Sequence, residues 1–208
     1  MSLPRLLVVT DRTQAARPLP EVVADAVAAG ARAVLLRDKD LPAADRAALA
    51  RDLRAVLDPV GGLLVWGGAA SPPPGLPVHL SATDPFPRVR PPLVGRSCHS
   101  AVELARAADE GCDWVTLSPY AATASKPGYG PALGPAGLAA LVRGAPPVLA
   151  LGGVRPGDVA DCLAAGASGI AVMGPAMRDP AVVAGYCAAL AALPAVAQRW
   201  VGTARGRV

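Results

Sequence analysis

Aromatic residues are scarce in this chain. Three tryptophans, three tyrosines and one phenylalanine make up 3% of 208 residues. Packing must therefore rest on Ala, Val and Leu, and Ala-rich helices suit close approach to a sheet. No apolar run reaches the ~18 residues a membrane span needs, so no membrane partner is expected. Residues Met1 to Thr10 lack a basic stretch followed by an apolar run and a small-residue cleavage site, which argues against a secretory signal. The four cysteines, Cys98, Cys112, Cys162 and Cys187, form no C-x-x-C pair. That spacing excludes a disulfide framework and a zinc motif and fits core thiols in a reducing cytoplasm. Charge is also sparse, at 17% of residues with a net +4. Its basic residues are scattered and form no stripe, so no nucleic-acid partner is expected. The basic tail over residues 195–208, with Arg199, Arg205 and Arg207, reads as a frayed, solvated terminus.

What is present is a regular alternation. Short β-rich runs at 6–10, 33–37, 63–66, 78–80, 93–98, 114–118, 148–151 and 170–173 are separated by helical patterns at about 19–30, 43–57, 100–110, 136–143, 157–165 and 181–193. Such a pattern predicts βα units around a parallel sheet. Ser100 and Glu103 are spaced as a capping box at one helix start. Between the third and fourth runs, residues 67–77 contain Pro72-Pro73-Pro74 and exclude a normal helix. Eight strands in one domain of 208 residues predict a compact (β/α)8 TIM barrel whose third βα unit is irregular. An open dinucleotide-binding sheet is disfavoured, because no G-x-G-x-x-G follows the first strand.

Barrel chemistry gathers at the C-terminal strand ends. Strand two ends in Arg37-Asp38-Lys39-Asp40, whose two cations at alternate positions can face one anion. Strand seven ends in Gly152-Gly153 and strand eight in Gly174-Pro175, and bare backbone there suits a phosphate. The long sixth loop offers Thr123, Ser125 and Lys126 as a candidate anion-binding lid. Strand five leads into Gly95-Arg96-Ser97-Cys98-His99-Ser100, where the His99 imidazole can exchange protons near neutral pH. His79 reads as a packed interior residue and is left out of the chemistry.

Taken together, these segments resemble the thiamine phosphate synthase and TenI superfamily over nearly the whole chain. Val34 to Asp40 is similar to V-Q-L-R-E-K-D, Gly95 to Ser100 to G-x-S-x-H-S, and Thr123 to Gly128 to T-P-T-K-P-G. Leu151 to Val154 and Gly169 to Met173 resemble the last two family strands. In the synthase branch, which joins a pyrimidine diphosphate to thiazole phosphate with Mg²⁺ and releases pyrophosphate, the resemblance implies that Arg37, Lys39, Ser97 and Lys126 contact the diphosphate. Asp84 would then be a metal ligand, Thr123 and Ser125 would contact the thiazole, and Gly152, Gly153 and the turn at Gly174 would hold its phosphate.

Two departures weigh against that branch. Leu35 stands where the synthase pattern has Gln, and Trp66-Gly67 stand where it has Asn-Asp. Whether Trp66 fills the pyrimidine pocket decides how much of the diphosphate site survives. The TenI branch also lacks the full diphosphate site, and its thiazole tautomerase uses a histidine in G-R-S-x-H-S. That histidine occurs in both branches, and Lys126-Pro127-Gly128 leans back toward the synthase. The favoured expectation is a cofactor-free thiazole tautomerase with His99 and Lys126 as its catalytic residues. The alternatives are a Mg²⁺-dependent synthase and a non-catalytic binder or regulator of the pathway. A small phosphorylated thiazole is the expected ligand in each case, and a homo-oligomer is left open.

Overall fold

The computed structural model describes residues 4–122 and 131–193. Thr123, Ser125 and Lys126, expected at the site, and the basic tail therefore lie outside the described residues.

Eight parallel strands close a barrel in sequence order: β1 (Leu6–Val9), β2 (Ala33–Leu36), β3 (Leu63–Gly67), β4 (Val78–Leu80), β5 (Val94–Cys98), β6 (Trp114–Leu117), β7 (Val148–Leu151) and β8 (Gly169–Val172). Closure is made by β1 against β8, with Leu6 opposite Ile170 and Val8 opposite Val172. The strands read as unbroken apolar runs because both of their faces are covered. Side chains alternate between the two faces. Leu7, Val9, Leu35, Val65, Leu149 and Ala171 fill the barrel. Their neighbours Leu6, Val8, Val34, Leu36, Leu64 and Ile170 pack outward against the helices.

The helices are α1 (Leu19–Ala28), α2 (Ala43–Leu57), α3 (Ala101–Asp109), α4 (Gly134–Leu141), α5 (Val159–Ala164), α6 (Gly174–Arg178) and α7 (Val183–Ala191). In α1, Leu19, Val22, Val23, Ala26 and Val27 are buried, the i, i+3, i+4 stripe of a helix laid on a sheet. The Ser100 hydroxyl accepts from the N–H of Glu103 at the start of α3, and the Glu103 carboxylate takes the N–H of His99. No helix among the described residues is long and apolar enough to cross a membrane.

Three local expectations need correcting. Irregularity is not confined to the third βα unit, for no helix follows β4 either. The segment after β4 holds Pro85, Pro87, Pro91 and Pro92, which deny a helix its backbone donors. Its start is held instead by the fully buried Arg96, which donates to the carbonyls of Ser81 at 2.8 Å and Asp84 at 2.9 Å. Glu110, 2.6 Å away, supplies the opposite charge that a buried guanidinium requires. Helix α6, directly after β8, was not anticipated, because five residues are too few to carry a periodic signal. Finally, α4 begins at Gly134 rather than Ala136, within the usual uncertainty of a helix end.

Candidate functional site

A cavity of about 1060 Å³ opens at the C-terminal ends of the strands. It is bordered by Arg37, Lys39, Ser97, His99, Gly152, Gly153 and Gly174, so these expected site residues share one space.

One end is built from charged side chains. Past β2 the alternation continues, so Arg37 and Lys39 line the cavity while the Asp38 carboxylate is engaged at the end of β1. Asp38 is buried and accepts from the Thr10 hydroxyl and, at 2.8 Å, from the N–H of Arg12. Thr10 in turn accepts the N–H of Arg37 at 2.9 Å, which ties the strand end that carries the cation to β1. Each cavity-facing cation has a carboxylate neighbour. Arg37 lies 3.6 Å from Asp11, and Lys39 lies 3.4 Å from Asp84. Partial burial works against ionisation of Asp84. The Ser81 N–H at 2.7 Å, the Ser81 hydroxyl and the Lys39 ammonium outweigh it and hold the Asp84 pKa below the usual carboxylate range.

The opposite end is built from backbone. Gly152 and Gly153 have φ of +90° and +71°, left-handed conformations that favour glycine. A Cβ on Gly153 would sit 2.7 Å from the Ala122 oxygen and 2.8 Å from that of Ala121. Gly174 is overlaid by side chains: its Cβ would meet Gln14 Oε1 at 2.8 Å and Arg178 Nη1 at 2.9 Å. Arg178 donates to Gln14 at 2.9 Å, and the Gln14 amide donates to Asp11 at 2.8 Å. Sequence reasoning missed Arg178, Gln14 and Asp11. The available signal for Arg178 was a basic residue one turn beyond a glycine at the end of β8.

Between the two ends lies a polar floor, of which Ser97 was expected, Thr116 was missed and His79 was left out of the chemistry. His79, on β4, points into the barrel, where its Nε2 lies 3.1 Å from the Ser97 hydroxyl and 3.2 Å from that of Thr116. Its ring stacks on Trp114, with centroids 5.7 Å apart. His99 lies higher, at the cavity wall. Its Nδ1 is 3.0 Å from the Ser118 carbonyl oxygen and 3.1 Å from the Ser118 hydroxyl. A carbonyl only accepts, so Nδ1 of His99 carries the proton.

Trp66 does not fill the cavity. It belongs to the outward-facing layer, with its ring under the Arg46 guanidinium of α2 at 3.8 Å and its Nε1–H bonded to the Ala70 carbonyl at 2.9 Å. Arg46 caps the ends of β2 and β3 by donating to the carbonyls of Leu36 and Gly67. A side chain at Gly67 has no room, because its Cβ would lie 2.8 Å from the Leu36 oxygen and 3.3 Å from Arg46 Nη2. Among the described residues no group of three or more His, Cys, Asp or Glu could hold a metal. Asp84 therefore stands without a second protein carboxylate on β3.

Residues 6–175 match the family described as thiamine monophosphate synthase, TMP-TENI. The chain is 37% identical over 189 residues to a putative thiamine-phosphate synthase of Geobacter sulfurreducens, covering 84% of this chain and 87% of the relative. It is 39% identical over 196 residues to the thiamine-phosphate synthase of Methanoculleus marisnigri, covering 86% and 90%. In fold it is similar to a thiamine phosphate pyrophosphorylase from Pyrococcus furiosus, with a TM-score of 0.77 and 24% identity over 90% of this chain and 96% of that one. These relatives carry the synthase name and not the tautomerase name. The expectation of a TenI-like tautomerase is overturned by them, and the proton shift for which His99 and Lys126 were expected as catalytic residues goes with it. The open question of whether Trp66 fills the pyrimidine pocket is answered by its place in the outward-facing layer.

Proposed function

The chain belongs to the thiamine monophosphate synthase family, and within it we propose a thiamine-phosphate synthase that condenses a pyrimidine diphosphate with thiazole phosphate and releases pyrophosphate. The observation that carries this reading is one cavity with two anion-binding ends of different make: Arg37 and Lys39 at one, and the glycine backbone of β7 and β8 at the other.

In this reading Arg37 and Lys39 exchange their carboxylate neighbours for diphosphate oxygens. Arg37 is suited to a forked contact and Lys39 to a point contact. Ser97 adds a hydroxyl from the floor. Gly152, Gly153 and Gly174 receive the thiazole phosphate, with Arg178 above Gly174 as a side-chain cation. Lys126, Thr123 and Ser125 keep the roles that the family resemblance implies, toward the diphosphate and the thiazole. Condensation forms one bond to the pyrimidine carbon and breaks its bond to the diphosphate. Negative charge therefore grows on the departing pyrophosphate, where the cations stand.

A divalent ion fits at Asp84 in a limited way. Mg²⁺ is commonly bound through one or two carboxylates with substrate phosphates and water completing its shell. The depressed pKa of Asp84 keeps it anionic for that purpose. When bound, Mg²⁺ would supply further neutralisation of the leaving diphosphate. The crowding at Gly67 leaves no room for a second carboxylate from that position on β3.

The test is direct. Purified protein with both substrates and Mg²⁺ is expected to form thiamine phosphate and pyrophosphate in equal amounts. Absence of product at micromolar enzyme, with both substrates shown to bind, would overturn the reading.

A further inference from the structure

From the geometry of the cavity floor we infer that His79 is a positioning residue, which fixes the direction of the Ser97 hydroxyl by donating from Nε2–H, so that Ser97 donates its own proton toward the diphosphate. The inference rests on the proposed synthase reading for its ligand, but not for the tautomer.

The tautomer follows from the surroundings of the two ring nitrogens. Nε2 lies within hydrogen-bond distance of two hydroxyl oxygens, those of Ser97 and Thr116. Nδ1 is buried and has no hydrogen-bond partner among the described residues. A proton on Nδ1 would be an unsatisfied buried donor. A lone pair there is the milder arrangement, because the orphan group next to it is itself a donor. The indole Nε1–H of Trp114, the ring on which His79 stacks, is also buried without a partner. Both rings crowd the bare backbone at Gly95, where a Cβ would meet Trp114 and lie 2.5 Å from His79 Nδ1. The proton therefore belongs on Nε2.

That assignment sets the polarity of the floor. With Nε2–H donating to its oxygen, Ser97 has no need of an acceptor on His79 and turns its hydrogen into the cavity. A hydroxyl held in this way is a donor to an anion, not an acceptor, which is the polarity a diphosphate needs. Neutrality of the ring is part of the device, since an imidazolium would compete for the same anion. Burial holds the His79 pKa down to about 3, with Lys39 and Arg96 working in the same direction and Asp84 against it.

The protein has two histidines, which makes the test clean. Two-bond ¹H–¹⁵N correlation spectra of tag-free, ¹⁵N-labelled protein at pH 7.5 are expected to show a ring protonated at Nε2 that disappears in His79→Gln. The other ring, His99, is protonated at Nδ1. A Nδ1–H tautomer or an imidazolium at position 79 overturns the inference, and this readout does not depend on turnover. Failure of the synthase assay with the expected tautomer present would sink the ligand assignment alone. In the active enzyme, His79→Leu is expected to raise KM for the pyrimidine diphosphate about tenfold, the loss of roughly one charge-assisted hydrogen bond. His79→Gln, which keeps a donor, is expected to recover most of it. In a Ser97→Ala background the His79→Leu effect is expected to vanish. An equal effect there would mean that His79 only packs the floor.

Discussion

The two ends of the cavity hold an anion by opposite means. The β2–β4 end relies on Arg37 and Lys39, flexible side chains that rest beside Asp11 and Asp84 until a ligand displaces them. The β7–β8 end relies on backbone that only glycine permits, with Ala121 and Ala122 closing against Gly153. Side-chain sites lose entropy and carboxylate partners on binding, whereas a backbone cradle is already in place. The charged end also lacks the support that a barrel normally provides, since neither β3 nor β4 is followed by a helix. Buried guanidiniums replace it, Arg46 across the ends of β2 and β3 and Arg96 beneath the segment that carries Asp84. The lesson is that the adjustable end is braced by charge and the fixed end by shape.

The largest expected effect breaks the fixed end. Gly153→Val places a β-branched residue at a φ of +71°, with its Cβ inside contact distance of two carbonyl oxygens. Strained backbone of this kind costs about 1–3 kcal/mol before any overlap is counted. A fall in Tm of about 6 °C or more follows for a chain of this size. Isothermal titration with inorganic phosphate is expected to register no binding. A variant with unchanged Tm and phosphate affinity would show that the cradle is not tight.

Next in size is the charged end. Arg37→Ala combined with Lys39→Ala removes two charge-assisted contacts worth about 1.5–3 kcal/mol each. Pyrophosphate affinity is expected to fall at least a hundredfold with Tm nearly unchanged, because both side chains are about half exposed. Phosphate binding at the glycine end should change less than threefold. Equal losses at both ends would mean that the two are one site.

How far these two ends were legible in the sequence follows from the same contrast. The glycines at the cavity were, because Gly-Gly after the seventh strand is joined by a glycine after the eighth, and so was Arg37-Asp38-Lys39, because charge at the end of an apolar strand stands out. The direction of Trp66 was not. Residues 63–66 are all apolar, and a strand covered on both faces leaves no alternation to read. The register had to come from the fold, which turns Trp66 out under Arg46. The helix-free stretch after β4 was marked by its prolines, but its brace was not, since Arg96 lies within a motif that drew attention to His99.

A pH-dependent effect tests the floor between the ends. The His79 pKa is lowered from 6.5 to about 3 when folded, so the unfolded chain takes up a proton first as pH falls. Above about 6.5 both states are neutral and the residue has no pH effect. Below that, stability is lost at about 1.4 kcal/mol per pH unit until the folded state protonates near 3. Denaturant midpoints measured from pH 7 to pH 4 should fall more steeply in the parent than in His79→Gln. Parallel curves would count against a buried, neutral His79.

The smallest expected effect concerns the brace itself, through Trp66→Phe. If Trp66 walled the cavity, trimming it would open space beside Arg37 and change KM for the pyrimidine diphosphate. Its observed place predicts otherwise. The ring lies on the helix side of β3, where the substitution removes the Nε1–H bond to Ala70 and weakens the contact with the Arg46 guanidinium. A neutral hydrogen bond is worth about 1 kcal/mol, and exchanging a tryptophan face for a phenylalanine face under a cation costs a fraction of the ~0.5–2 kcal/mol of the interaction. Stability should therefore drop by about 1–2 kcal/mol. KM should stay within twofold, since Arg46 can still donate to the Leu36 and Gly67 carbonyls and hold the ends of β2 and β3 together. A change in KM without a change in stability would place Trp66 back at the cavity and reverse the assignment of the faces of β3.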